Sequence, residues 1–205
     1  MSTETGSAAI VPADRNTGAI EPRKRYSWIE ILREIGQGER ETLMMRGTAP
    51  RFEDLVGWEF AGANALGLTK LIGIRKFTKG FYEGPPRSDG PSPFVQGYNI
   101  VVRQNGDEAP HEYVPSDAAP KRHGFYRVHA VDPQARDSRY PGALLLDYGL
   151  GGNGLFGPPL RDYIVQIYPD DPDLLLGKAY LALGPLRIPV SFFVLKRLKK
   201  HDFKG

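Results

Sequence analysis

From about residue 55 onward the chain is written in short runs rich in Val, Ile, Phe, Tyr and Leu, each closed off by Gly, Pro, Asn or Asp. Residues 56–62, 74–82, 97–104, 110–115, 123–131, 142–148, 160–168, 174–183 and 186–197 have the length and composition of β-strands. The last three are joined only by Pro169-Asp170-Asp171-Pro172 and by Gly184-Pro185, both turn sequences. Strands joined so closely lie antiparallel. Asn105-Gly106, after "YNIVVRQ", is a further hairpin signal. No long helical pattern alternates with these runs, which argues against a parallel doubly wound sheet. The expected fold is mainly β, a lipocalin-like antiparallel β-barrel of eight or nine strands, because closure removes the exposed edges such a sheet would present. A two-sheet sandwich is the alternative.

The N-terminal part reads differently. Residues 1–25 are polar and aperiodic and are expected to be a disordered tail, leaving 26–205 as a single barrel domain with short N-terminal helices. Ser27 and Glu30 have the spacing of a capping box. Trp28, Ile31, Leu32 and Ile35 then form a helical stripe, with Gly36 as its stop. A second short helix is expected over 39–45, ended by Thr48-Ala49-Pro50, and a third over 64–72 with Asn64 as its cap.

The totals bound the chemistry. The chain of 205 residues has no cysteine, so disulfides, thiolate nucleophiles and thiolate metal sites are excluded. Its start lacks the basic and apolar regions of a secretory signal, and no stretch approaches the length of a membrane span, so the expected location is the cytoplasm, without stable membrane insertion. The net charge is only +3, with the positive excess near the chain ends, and no nucleic-acid partner is expected.

The segment Gly149-Leu-Gly-Gly-Asn-Gly154 has the spacing of a dinucleotide-binding turn. Such a turn must open a helix whose N-terminus faces the pyrophosphate. Here it runs into Leu155-Phe-Gly-Pro-Pro159, which cannot continue as a helix. The glycines are therefore expected to form a connection between two antiparallel strands at a barrel mouth, and no cofactor is expected.

The C-terminal third, "ALLLDYG…LRDYIVQIYPDDPDLLLGKAYLALGPLRIPVSFFVLKRL", resembles the domain of unknown function that follows the GXWXG domain. Upstream, "FEDLVGWEFAG", with Gly57, Trp58 and Gly62, and "LTKLIGIRKFTKGF" resemble the GXWXG domain itself. The resemblance spans roughly residues 38 to 198; it implies a small lipocalin-like barrel and no particular activity. The Gly57-Trp58 opening, with its Trp directly after the glycine, also resembles the Gly-x-Trp of lipocalins, in which a first-strand Trp crosses the closed end; this implies that Trp58 or Phe60 acts as a structural plug.

Strand alternation sorts the remaining candidates by face. Arg161, Tyr163, Val165 and Ile167 share one side, against Leu160, Asp162, Ile164 and Gln166. Leu174, Leu176, Lys178 and Tyr180 share one side of the next strand, against Leu175, Gly177, Ala179 and Leu181. Arg161-x-Tyr163 and Lys178-x-Tyr180 each set a cation and a phenol about 7 Å apart along the strand. Intracellular fatty-acid-binding barrels hold a carboxylate with a similar Arg-x-Tyr pattern. Arg161, Tyr163, Lys178 and Tyr180 are thus the candidate ligand contacts, provided they point inward. The competing reading has Arg161 outside, or paired with Asp147 or Asp162. His123, Phe125, Arg127 and His129 are expected on one face, with the two histidines about 20 Å apart, too far to share a metal. Ser191 has no histidine placed beside it.

The expected function is binding of a small, largely apolar, anionic and lipid-like molecule in a barrel cavity. One alternative is an enzyme using a lumenal carboxylate, Asp147 or Asp162, on a small apolar substrate. The other is an interaction module with a filled barrel, which packed side chains throughout the lumen would identify.

Overall fold

The computed structural model describes residues 24–65, 73–85, 94–151, 153 and 159–205. Among them are eight strands: β1 (Trp58–Asn64), β2 (Lys76–Glu83), β3 (Val95–Ile100), β4 (Arg122–Ala130), β5 (Leu144–Asp147), β6 (Leu160–Gln166), β7 (Leu174–Leu183) and β8 (Leu186–Lys200). They form one closed barrel in sequence order, every neighbour antiparallel, with β8 paired back onto β1. The fold is mainly β.

The run 110–115 is not a strand of the barrel. It touches the end of β3's extension through an isolated bridge between Val102 and Tyr113. Pro110 and Pro115 deny it the amides a ladder needs. It lies instead over the outer wall, where Tyr113 packs with Tyr82, Tyr98 and Ile100. Of the helix expected over 64–72, residues 66–72 lie outside the described residues. Asn64 is the last residue of β1 rather than a helix cap; its amide donates to the Ile74 carbonyl at 2.9 Å. The expected tail falls outside the described residues except Lys24 and Arg25, and Arg25 is bound to Asp170 at 2.7 Å.

The first two N-terminal helical pieces lie where their sequence signals place them, the first as a π-helical turn, and a further short helix that the sequence reading did not expect follows. The Ser27 amide and hydroxyl both donate to Glu30 at 2.8 Å, closing the capping box. A π-helical turn, Glu30–Glu34, follows. Its Ile31 and Leu32 are buried against the outside of the barrel, with Tyr163, Val165 and Val194. Each contributes about 2 kcal/mol of apolar burial. Helix α1 (Gln37–Arg46) is longer than the expected 39–45, and α2 (Phe52–Leu55) precedes β1. Arg40 of α1 donates to the carbonyls of Ile31 and Leu32, which ties the two helical pieces together. Much of the outer wall is therefore covered, and both faces of several strands are apolar.

One end of the barrel is packed. Phe60, Phe81, Tyr126, Leu175 and Leu195 belong to a single buried cluster, with Leu55 of α2 beneath them. Trp58 opens β1 at this end. The Arg197 guanidinium lies 4.4 Å from its ring centroid and 5.3 Å from that of Phe60, and is bonded to Asp173. The opposite end carries the β1–β2, β3–β4, β5–β6 and β7–β8 connections.

The glycine segment belongs to the β5–β6 connection. Tyr148–Leu150 form a single 3-10 turn, opened by Asp147, which accepts from the Gly149 amide at 2.7 Å. A Cβ on Gly151 would lie 1.7 Å from the Phe125 carbonyl oxygen, so only glycine allows the chain to pass this close to β4. Asn153 then accepts from the Phe125 amide at 2.8 Å and donates to its carbonyl at 2.6 Å. These residues knit a connection to its neighbouring strand. Gly154 lies outside the described residues.

Candidate functional site: a polar cluster beneath the barrel cavity

The half of the lumen nearer the loop-bearing end is hollow. It holds a cavity of about 320 Å³, walled mainly by apolar side chains such as Phe77, Leu160, Val190 and Phe193. Lys79, Asn99, Tyr148 and Asp162 also line it. They come from β2, β3, the turn after β5, and β6.

Alternation explains how these four meet. On β2 the inward positions are Phe77, Lys79 and Phe81, since Lys79 pairs with the inward Phe60 of β1 and with Asn99 of β3. On β6, Asp162 shares its face with the buried Ile164. The Lys79 ammonium donates to Asp162 Oδ2 at 2.8 Å, to Asn99 Oδ1 at 3.0 Å and to the Tyr148 hydroxyl at 2.5 Å. Tyr148 in turn donates to Asp162 Oδ2 at 2.9 Å. The Asn99 amide donates to the Gly124 carbonyl at 3.0 Å and lies 3.2 Å from the Tyr148 hydroxyl. All three protons of the ammonium are therefore used.

The surroundings are dry. Lys79 is 2% exposed and the Asp162 side chain 5%. Among the described residues, four rings surround the ammonium: Tyr126 at 4.8 Å, Tyr148 at 5.2 Å, and Phe77 and Phe193 at 5.4 Å. Burial pushes the Lys79 ammonium below its ordinary value, and the neighbouring Asp162 only partly offsets it. Burial, reinforced by Asp162, pushes the Tyr148 phenol well above its usual range. At neutral pH the phenol is a donor, and the lysine is a base that gives up its proton more readily than a surface lysine.

The candidates expected from sequence are placed as follows. Arg161, Tyr163, Lys178 and Tyr180 are brought together, because Arg161 pairs with Tyr180 and Tyr163 with Lys178 across β6 and β7. They meet on the outer wall, not in the lumen. Lys178 binds Glu41 of α1, and Tyr180 meets the Tyr140 hydroxyl at 2.9 Å. Arg161 pairs with Asp147 at 3.0 Å. Asp147 thus faces outward, whereas Asp162 faces the cavity. Ser191 also lines the cavity, and its hydroxyl donates to Asn64 at 3.1 Å rather than to a base.

The histidine face is interrupted. Gly124 adopts φ +55°, and the β3–β4 register shifts between Gly97 and Asn99. This bulge resets the alternation. His123 therefore stands at the cavity mouth opposite Asn99, while Phe125 packs on the outer wall beside Tyr98. No group of three metal-ligating side chains occurs among the described residues.

Lys79, Asn99 and Tyr148 were not among the expected site residues. The signal for Lys79 was present in "KFTKGF", where parity sets a lysine between two phenylalanines on one face.

Comparison of the chain with protein-family models, with curated proteins and with solved structures gives no match.

Proposed function

We propose that this barrel binds a small, largely apolar molecule in its open half, with one polar group of the ligand set against Lys79, Asp162, Tyr148 and Asn99. The observation that carries the proposal is the cavity of about 320 Å³, with apolar side chains such as Phe77, Leu160, Val190 and Phe193 on its walls and the bonded cluster of Lys79, Asp162, Tyr148 and Asn99 fixed at one side. That combination is how small-molecule sites achieve both affinity and orientation. The hollow half favours this reading over a filled interaction module.

The ligand's polar group is better matched by a neutral carbonyl or hydroxyl than by an anion. An anionic head would need an inward cation. Of the two lysines that line the cavity, Lys76 turns its ammonium to Asn105 and to the carbonyls of Ala109 and Pro110, while Lys79 already has a carboxylate at 2.8 Å that would repel a second anion. Arg161, on which the anionic expectation rested, is on the outer wall.

A lipocalin-like character, kinship with GXWXG-type proteins and a cytoplasmic location belong to the same proposal. Support comes from Trp58 at the packed end of a one-ended barrel and from a cysteine-free sequence suited to a reducing compartment.

The test is uptake of the neutral dye Nile red, together with native mass spectrometry of the freshly purified protein. Wild-type protein should raise the dye's fluorescence saturably. Ala179→Phe, which puts a ring into the cavity, should abolish uptake while the protein stays folded. Uptake unchanged by Ala179→Phe would overturn the proposal.

A further inference from the structure

We propose that Lys79 is a carbonyl-capturing residue, forming a reversible imine with an apolar aldehyde or ketone held in the cavity. The proposal rests on the binding reading above and names the ligand class.

The geometry supplies each requirement of imine chemistry. The amine must line the space where the carbonyl sits, and Lys79 lines the cavity. It must lose a proton to become nucleophilic. Asp162 Oδ2, 2.8 Å away, is placed to take it, and in a dry site a neutral amine and neutral acid escape the cost of two buried charges. A proton carrier must then serve the oxygen that leaves. Asp162 is again in place, held by the Tyr148 hydroxyl at 2.9 Å, while Asn99 braces that hydroxyl.

The steps balance. Lys79 passes one proton to Asp162. The nitrogen lone pair adds to the carbonyl carbon, the C=O π pair moves to oxygen, and the oxygen takes the proton from Asp162. The nitrogen, now cationic, returns a proton to the Asp162 carboxylate, leaving a neutral carbinolamine. Asp162 protonates the hydroxyl. Water departs with the C–O bonding pair, and the nitrogen lone pair closes the C=N bond. One ammonium and one carbonyl have become one protonated imine and one water, with no oxidant or reductant needed.

The product also suits the site. A protonated imine carries the same single positive charge at the same nitrogen. It keeps the Asp162 counter-charge and the ring of Phe77, Tyr126, Tyr148 and Phe193. Surface lysines such as Lys24, Lys121 and Lys204 are exposed and lack this arrangement.

The experiment treats the intact protein with cinnamaldehyde and sodium cyanoborohydride near neutral pH, then maps the modified lysines by peptide mass spectrometry. Cinnamyl alcohol, of the same shape without the carbonyl, is tested in parallel for displacement of Nile red. The expected result is at least tenfold faster trapping on Lys79 than on Lys24 or Lys204. Tyr148→Phe and Asp162→Asn should slow trapping at Lys79 without slowing it at the exposed Lys204, which standardises the reagent, while circular dichroism shows that each variant is folded. If the dye enters and cinnamyl alcohol displaces it, yet Lys79 is trapped no faster than the surface lysines, the imine proposal is overturned and the binding reading stands. If the dye never enters, both fall.

Discussion

Lys79 on β2 and Asp162 on β6 face each other across the full diameter of the barrel, from strands four places apart around the ring in either direction, and meet at 2.8 Å. The pair is a strut between opposite walls. Below it the lumen is packed by Phe60, Phe81 and Tyr126; beside it the cavity opens. A buried ion pair is seldom the most stable filling for such a place, since apolar residues of similar volume serve as well or better.

That balance makes the first prediction. Lys79→Met or Asp162→Leu alone should cost about 3–5 kcal/mol, because each leaves an uncompensated buried charge. The double variant should recover most of the loss, with Asn99 and Tyr148 still bonded to each other. Urea unfolding of the three variants checks this. A double variant as unstable as the sum of the singles would contradict it.

The two glycines Gly151 and Gly38 should respond oppositely to alanine. At Gly151 the new methyl would collide with the Phe125 backbone, which cannot step aside without breaking β4, at a cost of about 2–4 kcal/mol. At Gly38, inside α1, a Cβ meets nothing within 4 Å. Alanine there should stabilise the protein by about 0.5–1 kcal/mol through helix propensity. Thermal melts of both variants decide the matter.

Stability should fall as the solution is acidified from neutral. His111 and His201 both titrate below the ordinary imidazole value, chiefly because burial disfavours their charged forms. Their Nε2 atoms lie 3.2 Å from the Gly62 carbonyl and 3.0 Å from the Phe81 carbonyl. The unfolded chain takes up these protons first, at about pH 6.5, so it binds more protons than the native state below that point. The stability present above about pH 6.5 is therefore lost progressively as pH drops toward the lower native values. Melting temperature measured across this range should decline, and His201→Gln should flatten the curve. A flat wild-type profile would remove the claim.

Arg197 should not be replaceable by lysine. Its planar guanidinium covers both Trp58 and Phe60 while bonding Asp173, and an ammonium cannot stack and bridge in the same way. Arg197→Lys should cost about 0.5–2 kcal/mol in urea unfolding. An unchanged midpoint would show that the stack contributes nothing to closing that end.

The sequence by itself determined the antiparallel strands, the capping box at Ser27 and Glu30, and the sorting of β6 and β7 into two faces, since each is a local matter of period, turn chemistry or spacing. It could not say which face of β6 looks inward. Helices and loops cover much of the outer wall, so both faces carry Leu, Val and Tyr, and the usual contrast between a wet side and a dry side is missing. It also could not foresee the reset at Gly124, a bulge made by pairing with β3. Only the closed barrel decided that Asp162 meets Lys79, 83 positions away in the chain, while Arg161 beside it turns outward to Asp147. A buried charge is stable only where a distant strand supplies its opposite, and that distance is set by closure of the sheet.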